Sequence, residues 1–327
     1  MSFGREFVFD PDYRVSCYQE MERTLARRFP GLAIGASDPQ ARVIPPDFGN
    51  AASAAAAGCE VSYPVDNYPW NRHLEADAVW ALEIPADISK RFPYSEIFGQ
   101  VAVLNRRLGC DETPLLIPRG VLNDAMLIRG QNFFLDRSED PELALHLIDF
   151  CSGILEAVVA ANAVNRRPET VILTNCTVPF VGPQSYTDWL LPLDLEILKT
   201  VRRAGLPFGI HHCGLLDPYI PAYRRFSKVD FLEIGWGSDV GRAMESFPEA
   251  LVRYIYSARF LLTTSGREVE EETERLLLQV PAADRRRFSL SVPDIEHGTP
   301  DENLLSIFEA CRRLDGFPGM ASSGGGE

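Results

Sequence analysis

The sequence predicts an α/β protein, a single (β/α)8 TIM-type barrel with an irregular N-terminal extension. Its 327 residues, 46% of them hydrophobic, suffice for one large buried core. From Leu115 onward, short apolar runs that end in Gly, Asn or His alternate with segments of helical period. Six or more such units indicate a parallel sheet and, at this length, favour closure into a barrel. A doubly wound sheet is the alternative arrangement.

The predicted strands and helices carry their own local signals. Asp140 followed by Pro141 supplies a cap and a first-turn proline, which start one helix. Thr299 and Glu302 form a T-x-x-E capping box, which predicts the start of another. The predicted strands are LLIPRG, VILTNC, PFGIHHCG, VDFLEIGWG, LVRYIYS and FSLSVPDIEHG.

Three segments are expected along the chain. Residues 1–60 form the extension, with a helix-like segment from Cys17 to Arg28 and then a loop rich in Pro, Gly and Ala. Residues 61–314 form the barrel. The tail, 315–327, reads DGFPGMASSGGGE and has no periodic apolar residues, so it is predicted to be disordered.

The stretch VSYPVDNYPW, at the start of the predicted barrel, contains two prolines that predict a shaped loop. Its Asp66, Tyr68 and Trp70 either line a pocket or simply pack. We assign Tyr68 to substrate binding and Asp66 to an acidic or electrostatic role in catalysis.

Composition excludes several classes of partner. The 32 Lys and Arg against 46 Asp and Glu give a formal net charge of −14, which repels nucleic acid and anionic lipid surfaces. The chain shows no secretory signal pattern, and no stretch approaches the roughly 18 uncharged apolar residues typical of a membrane span. We expect a soluble cytoplasmic protein, a monomer or homodimer. Seven cysteines without a C-x-x-C pair predict free thiols.

The segment GIHHCG places two histidines and a cysteine at the end of an apolar strand. Side chains alternate between the faces of a strand, so His211 and Cys213 share one face and His212 lies on the other. Phe208 and Ile210 would meet the outer helices, leaving His211 and Cys213 at the carboxyl-end mouth of the barrel. Imidazole nitrogen and thiolate sulfur are ligands that zinc prefers.

The next strand, VDFLEIGWG, brings an acid to the same edge. Glu233 shares its face with Phe231 and Gly235, and an acid in such an apolar run must be paired or coordinated if it is buried. Three metal-type residues at matching strand ends therefore predict a metal site. The alternative is a hydrogen-bonded core histidine, a cysteine that packs as a small hydrophobe, and a glutamate paired with an arginine.

Further site residues are assigned at other strand ends. His297, just before the last predicted helix, is a candidate ligand. Cys176 ends VILTNC and is interpreted as a buried thiol or pocket wall, so it is assigned with Asn175 and Trp236 to substrate binding. Arg119, in LLIPRG, either holds a substrate carboxylate or forms a salt bridge at the strand end.

The segment IHHCG, followed by VDFLEIGWGSDV, FPEALVRY and HGTPDENL, resembles the uroporphyrinogen decarboxylase superfamily, above all its zinc-dependent, cobalamin-linked methyltransferase branch, which includes methylcobalamin:coenzyme M methyltransferases. FVGPQSYTDWLLP and DPELALHLID are also similar. The resemblance implies a (β/α)8 barrel and a zinc held by His211 and Cys213 of the H-x-C motif. In the related cobalamin-independent methionine synthases, a glutamate on the strand after H-x-C also binds the zinc, and Glu233 stands close to that position.

Two features depart from that family pattern. Pro293 stands near the position of a further cysteine in the late loop, so the third ligand is expected to be Glu233 or His297. The arginine-rich segment with which the decarboxylase binds its tetrapyrrole has no counterpart at the start of the chain, so decarboxylation of a porphyrinogen is not expected.

Three functions follow as hypotheses. The first is a zinc-dependent methyl or alkyl transferase whose methyl donor is a corrinoid, free or on a carrier protein, or a methylated small molecule. The second is a metal-free decarboxylase or lyase for a non-porphyrin carboxylate, with Asp66 and Arg119 in catalysis. The third is a non-catalytic corrinoid-binding protein.

Overall fold

A computed structural model describes residues 2–32, 34–164 and 170–314. These residues form two compact units, one made of the part up to residue 164 and one of residues 170–314. The predicted disordered tail, 315–327, lies outside the described residues. The boundary predicted after residue 60 stays a prediction.

The first unit is mainly helical. Its helices are α1 Arg5–Phe9, α2 Pro11–Arg28, α3 Ala52–Ala56, α4 Ala76–Trp80, α5 Tyr94–Leu108, α6 Val121–Arg129, α7 Asn132–Glu139 and α8 Pro141–Val164, with short 3-10 helices at Gly49–Ala51 and Ile88–Lys90. Helix α2 begins six residues before the predicted Cys17 because Asp10 caps it, accepting hydrogen bonds from the backbone of Asp12 and Tyr13, and Pro11 fills the first helical position.

The prolines of VSYPVDNYPW confine its strands to two short pieces. β1 (Val61–Ser62) and β2 (Trp70–Asn71) pair antiparallel, and the residues between them form a loop. The loop carries Asp66 and Tyr68, both exposed. The predicted shaped loop is confirmed.

The predicted strand LLIPRG does not form. Among its residues only Arg119 makes an isolated bridge. Asn162, buried on α8, donates to the Leu116 carbonyl at 2.7 Å and accepts from the Leu116 N–H at 2.9 Å. A side-chain amide thus satisfies the backbone groups that a sheet ladder would otherwise have paired. The expectation of a strand here was wrong because the Asn162 side chain, 46 residues away in sequence, takes the place of a neighbouring strand.

Helix α8 begins at the predicted Asp140–Pro141 signal. It is the one helix among the described residues that is long and apolar enough to cross a membrane, with a mean hydropathy of 1.8 over its best window. Of that window 56% is buried inside the protein, as in the core helix of a globular fold.

The second unit contains a five-stranded parallel sheet. Its strands are β3 Val171–Thr174, β4 Phe208–His212, β5 Phe231–Ile234, β6 Leu251–Ile255 and β7 Phe288–Ser291. They pair in chain order, β3-β4-β5-β6-β7, and every pair is parallel. Five of the six predicted strands are therefore present, and the predicted α/β class is confirmed.

Helices follow each strand of this unit. They are α9 Gly182–Ser185, α10 Leu191–Arg203, α11 Ile220–Tyr223, α12 Val240–Ser246, α13 Ala258–Thr263, α14 Gly266–Leu278 and α15 Asp301–Arg313, with a π-helix at Tyr186–Leu190 and 3-10 helices at Val178–Phe180, Asp217–Tyr219 and Ala282–Arg287.

The capping box predicted at Thr299 was wrong. Helix α15 starts at Asp301 with Pro300 as its cap, so Thr299 lies outside the helix and its side chain makes no cap hydrogen bond. The capping box of this unit is instead at α14, where Ser265 and Glu268 exchange side-chain and backbone hydrogen bonds.

The two faces of the sheet differ in chemistry. One face is mainly buried and apolar, as shown by Ile210, Leu232 and Ile234, which expose none of their surface, and it also carries His212. The other face carries a row of polar side chains in register, in the strand order Thr174, His211, Glu233, Arg253 and Ser289. The predicted separation of His211 from His212 by strand alternation is confirmed.

Candidate metal centre

Three donor side chains meet at the carboxyl end of the parallel sheet. Cys176 follows β3, His211 is the second-last residue of β4, and Cys213 comes directly after that strand. Their donor atoms lie within 4.8 Å of one another, and this is the metal-type cluster found among the described residues. Nε2 of His211 is 2.7 Å from the Cys213 sulfur, and the two sulfurs are 2.8 Å apart.

Gly235 allows the chain to bring Cys213 to this position. A Cβ atom added at Gly235 would overlap the carbonyl group of Cys213 and would lie 2.6 Å from the carbonyl oxygen of Gly214. A side chain is therefore excluded at Gly235 by close backbone approach. The glycine after β5 helps to define where the cysteine after β4 lies.

Glu233 contacts the second ring nitrogen of His211. The two residues are directly paired on β5 and β4, and Oε2 of Glu233 is hydrogen-bonded to Nδ1 of His211. In the neutral ring, Nδ1 carries the proton that it donates to the carboxylate, and Nε2 faces the Cys213 sulfur. Once His211 loses its second proton, this contact sets the tautomer that presents the Nε2 lone pair to the cluster.

Arg253 compensates the charge of this mostly buried acid. Only 13% of the Glu233 side chain is exposed, and Nη1 of Arg253 lies 3.6 Å from its Oε1. The Arg253 guanidinium also lies 4.9 Å from the centre of the Phe231 ring, a cation–π contact. Glu233 is thus paired, as an acid within an apolar strand requires.

The members of the cluster shift one another's protonation. Burial on its own lowers the pKa of His211, but hydrogen bonds with Cys176 and Glu233 and their negative charges raise it to about 9. The pKa of Cys213 is raised far above its usual value by its hydrogen bond with Cys176, then by burial, and then by the charges of Cys176, Glu233 and Asp294. A metal binds thiolate and neutral imidazole, so loading this cluster must release protons.

The donor set fits zinc better than a hard cation. Two sulfurs and an imidazole nitrogen are the ligands of zinc sites, whereas calcium and magnesium take oxygen ligands. The carboxylate beside His211 is the usual partner of a zinc-bound histidine. Cys176, His211 and Cys213 are the residues that could hold the ion.

The remaining predicted residues of this unit are placed elsewhere. His297 is exposed in the loop between β7 and α15 and is not a member of the three-donor cluster within the described residues. Trp236, after β5, packs in an aromatic group, with its ring centre 4.5 Å from that of Phe260 and 5.7 Å from that of Tyr256. Asn175, next to Cys176, is buried, and its side chain hydrogen-bonds Asp194 at 2.9 Å.

The first unit contains three of the predicted site residues, Asp66, Tyr68 and Arg119. Asp66 is exposed, and Tyr68 exposes 68% of its surface. The Arg119 guanidinium donates to Asn50 Oδ1 and to the Gly49 carbonyl, both at 2.6 Å. Two of its donor groups are therefore used to hold the turn at residues 49–50.

Cys176 was predicted to bind substrate, and the structure places its sulfur with the His211 and Cys213 donors; Arg253 was not among the predicted site residues. A signal for Cys176 was present, because a cysteine that ends one parallel strand lies beside a ligand pair that ends the next. A signal for Arg253 lay in the alternation of LVRYIYS, which puts this arginine on the same face as Glu233. Tyr223, which contacts both donor-bearing strand ends from α11, had no signal in the sequence.

Comparison with known proteins adds a likeness of fold. No protein-family model and no curated protein matches the chain. Among solved structures it is similar to a methyltransferase from Methanosarcina mazei, with a TM-score of 0.63 and 14% sequence identity over 93% of this chain and 87% of that chain. At this level of identity, the likeness shows a shared fold.

Proposed function

We propose that this chain is a methyl or alkyl transferase in which zinc, held by Cys176, His211 and Cys213, activates a thiol or similar nucleophile. The observation that carries the proposal is the convergence of these three donors at the carboxyl ends of two neighbouring parallel strands. Active sites of parallel α/β proteins lie at this edge of the sheet.

The number of donors suits catalysis. Catalytic zinc sites use three protein ligands and keep a fourth position for water or substrate, whereas structural sites use four. Zinc at this position would lower the pKa of a bound thiol and so supply a thiolate at neutral pH. We assign Cys176 as the third ligand in place of Glu233 or His297, because Glu233 already binds Nδ1 of His211.

The protein's own residues prepare this cluster for the ion. Glu233 orients the His211 ring and holds the proton on Nδ1, so that Nε2 faces the sulfurs. Arg253 offsets the Glu233 charge from the next strand. The half-exposed Arg253 side chain and the exposed Cys213 leave this edge of the cluster open to a small molecule.

Two further findings support the proposal. The likeness to the methyltransferase from Methanosarcina mazei agrees, at the level of fold, with the methyltransferase resemblance of the sequence. The consecutive, all-parallel order of β3 to β7 supports our inference that the sheet belongs to a (β/α)8-type barrel. The methyl donor in this proposal is a corrinoid, free or on a carrier protein, or a methylated small molecule.

Metal content tests the proposal first. The purified protein should hold about one zinc per chain, and replacing Cys176, His211 and Cys213 together by alanine should abolish it. The matched control is Cys110→Ser, which removes an exposed free cysteine of the first unit and should leave the zinc content unchanged.

Methyl transfer is the second test. The zinc-loaded protein should demethylate methylcobalamin in the presence of a thiol, and a strong chelator should stop the reaction. Zinc retained in the triple alanine variant would contradict the ligand assignment. Release of carbon dioxide from a carboxylated substrate at an undiminished rate in chelator would instead favour the metal-free lyase.

A further inference from the structure

On the opposite face of the sheet from Cys176, His211 and Cys213 lies a buried network of hydrogen-bonded polar side chains. Asn175 precedes Cys176, and His212 lies between His211 and Cys213, so each donor-bearing strand end sends a neighbouring side chain to the buried side. The five members of this network are Tyr186, Asp194, Asn175, Tyr223 and His212, and none is more than 2% exposed.

One hydroxyl joins the two strand ends. The Tyr223 oxygen lies 2.9 Å from Nδ1 of His212 and 3.4 Å from Nδ2 of Asn175. Nε2 of His212 lies 3.3 Å from the Leu215 carbonyl and donates to it, so Nδ1 accepts. The Tyr223 hydroxyl therefore donates to His212 on one strand end and accepts from Asn175 on the other.

The other two members of this buried polar network, Asp194 and Tyr186, fix the Asn175 amide. Its Nδ2 donates to Oδ2 of Asp194 at 2.9 Å, and the Tyr186 hydroxyl donates to the same oxygen at 2.7 Å. Fully buried polar groups are costly unless each is hydrogen-bonded, and a satisfied network of this kind holds its members in one arrangement. The backbone N–H of Asn175 also donates to the His211 carbonyl at 2.8 Å.

We propose that Tyr223 is a positioning residue for the metal centre: its hydroxyl sets the orientation of the peptide units that carry Cys176, His211 and Cys213. The backbone hydrogen bond between the strands sets their spacing, while the hydroxyl prevents rotation of the two strand ends against each other. Tyr223 acts through Asn175 and His212, the two residues to which its hydroxyl is hydrogen-bonded. The inference rests on the proposed function, because it concerns the same zinc ligands.

The test is the metal affinity of Tyr223→Phe, measured by competition with a chromophoric chelator. We expect zinc binding to weaken by about 10- to 100-fold, the usual effect of losing a group that orients metal ligands. In the cobalt-loaded variant, the thiolate-to-cobalt charge-transfer bands should shift or weaken. Asn175→Ala, which removes the other end of the same contact, should act in the same direction.

Tyr256→Phe is the matched control. Its hydroxyl is also buried and pairs with Thr273 Oγ1, on α14, at 2.6 Å. We expect this variant to lower the unfolding midpoint as Tyr223→Phe does and to keep wild-type zinc affinity. Unchanged affinity in Tyr223→Phe and Asn175→Ala, or equal weakening in Tyr256→Phe, would overturn the inference.

A metal-free measurement separates this inference from the proposed function. Phenylarsine oxide is captured by two adjacent thiols, which form two arsenic–sulfur bonds and release one water. Wild-type protein should capture it through Cys176 and Cys213, and Tyr223→Phe should capture it more weakly. If wild-type protein takes up no zinc, the proposed function fails, and the arsenical alone decides whether Tyr223 positions the two thiols.

Discussion

His211 and Glu233 lie side by side on β4 and β5, and the carboxylate is hydrogen-bonded to Nδ1, the ring nitrogen that does not face the Cys213 sulfur. This contact assigns different tasks to two residues that both look like metal ligands in the sequence. His211 presents Nε2 to the cluster. Glu233 holds the imidazole in the tautomer whose Nε2 lone pair can bind a metal.

Glu233→Gln should weaken zinc binding without removing it. Glutamine keeps the size of the side chain and a carbonyl acceptor, but it lacks the negative charge that raises the basicity of His211. We expect a loss of affinity of about 10- to 100-fold in a chelator competition assay near neutral pH. Glu249→Gln, at an exposed acid just before β6, is the control and should bind zinc as wild type does. Equal affinities of both variants would assign Glu233 no part in the centre.

The metal-free protein should form a disulfide between Cys176 and Cys213. Their sulfurs are 2.8 Å apart, and both residues are partly accessible. Dilute hydrogen peroxide oxidises one thiolate to a sulfenic acid; the other thiol then attacks the sulfenic sulfur, the S–O bond breaks, and a disulfide and water result. Peptide mass spectrometry should show the loss of two hydrogens at this pair, reversed by a reductant. Prior loading with zinc should protect the pair, and peroxide-resistant thiols in the apo protein would contradict the geometry.

Gly235→Ala should damage the metal centre more than it damages the fold. The new Cβ would overlap the Cys213 carbonyl, so the segment that carries this ligand must move. We expect weaker zinc binding and a loss of stability on the order of 1–3 kcal/mol, typical of overpacking. Gly99→Ala is the matched control, because Gly99 lies inside α5 and a Cβ there meets open space. That variant should gain about 0.5–1 kcal/mol and keep its zinc affinity.

Asp124 makes the stability of the first unit depend on pH. Burial raises its pKa to about 6, against the lowering effects of a 2.5 Å hydrogen bond from Ser53 and the charge of Arg119. The pKa of Asp124 in the folded protein lies above the ordinary aspartate value of 3.8, so the stabilising contribution is full below about pH 4 and is lost as the pH rises through about 6. The loss amounts to about 3 kcal/mol at most.

Urea unfolding of Asp124→Asn across this range isolates that contribution. The free energy of unfolding of wild type minus that of the variant should fall between about pH 4 and pH 7, because the asparagine does not titrate. A difference that stays constant with pH would contradict this account of Asp124.

Periodicity predicted the helices and strands whose formation depends on signals within their own segment of sequence. The five strands of the sheet, the start of α8 and the two faces of β4 all follow from alternation, apolar runs and cap residues. The strand predicted at LLIPRG does not form. Its apolar run resembles a strand, but the Asn162 side chain pairs with the Leu116 backbone in place of a neighbouring strand. The box at Thr299 failed because Pro300 takes the cap position itself.

The sequence by itself determined which side chains the centre could use. Strand alternation sends His211, Cys213 and Glu233 to one face and His212 to the other, because successive residues of a strand point in opposite directions. Only the tertiary structure decided their contacts. The parallel register placed Cys176 beside the His211–Cys213 pair, turned Glu233 to Nδ1 and brought Tyr223 under both strand ends. Distances between side chains on different strands depend on how those strands pair and pack, which spacing along one chain does not encode.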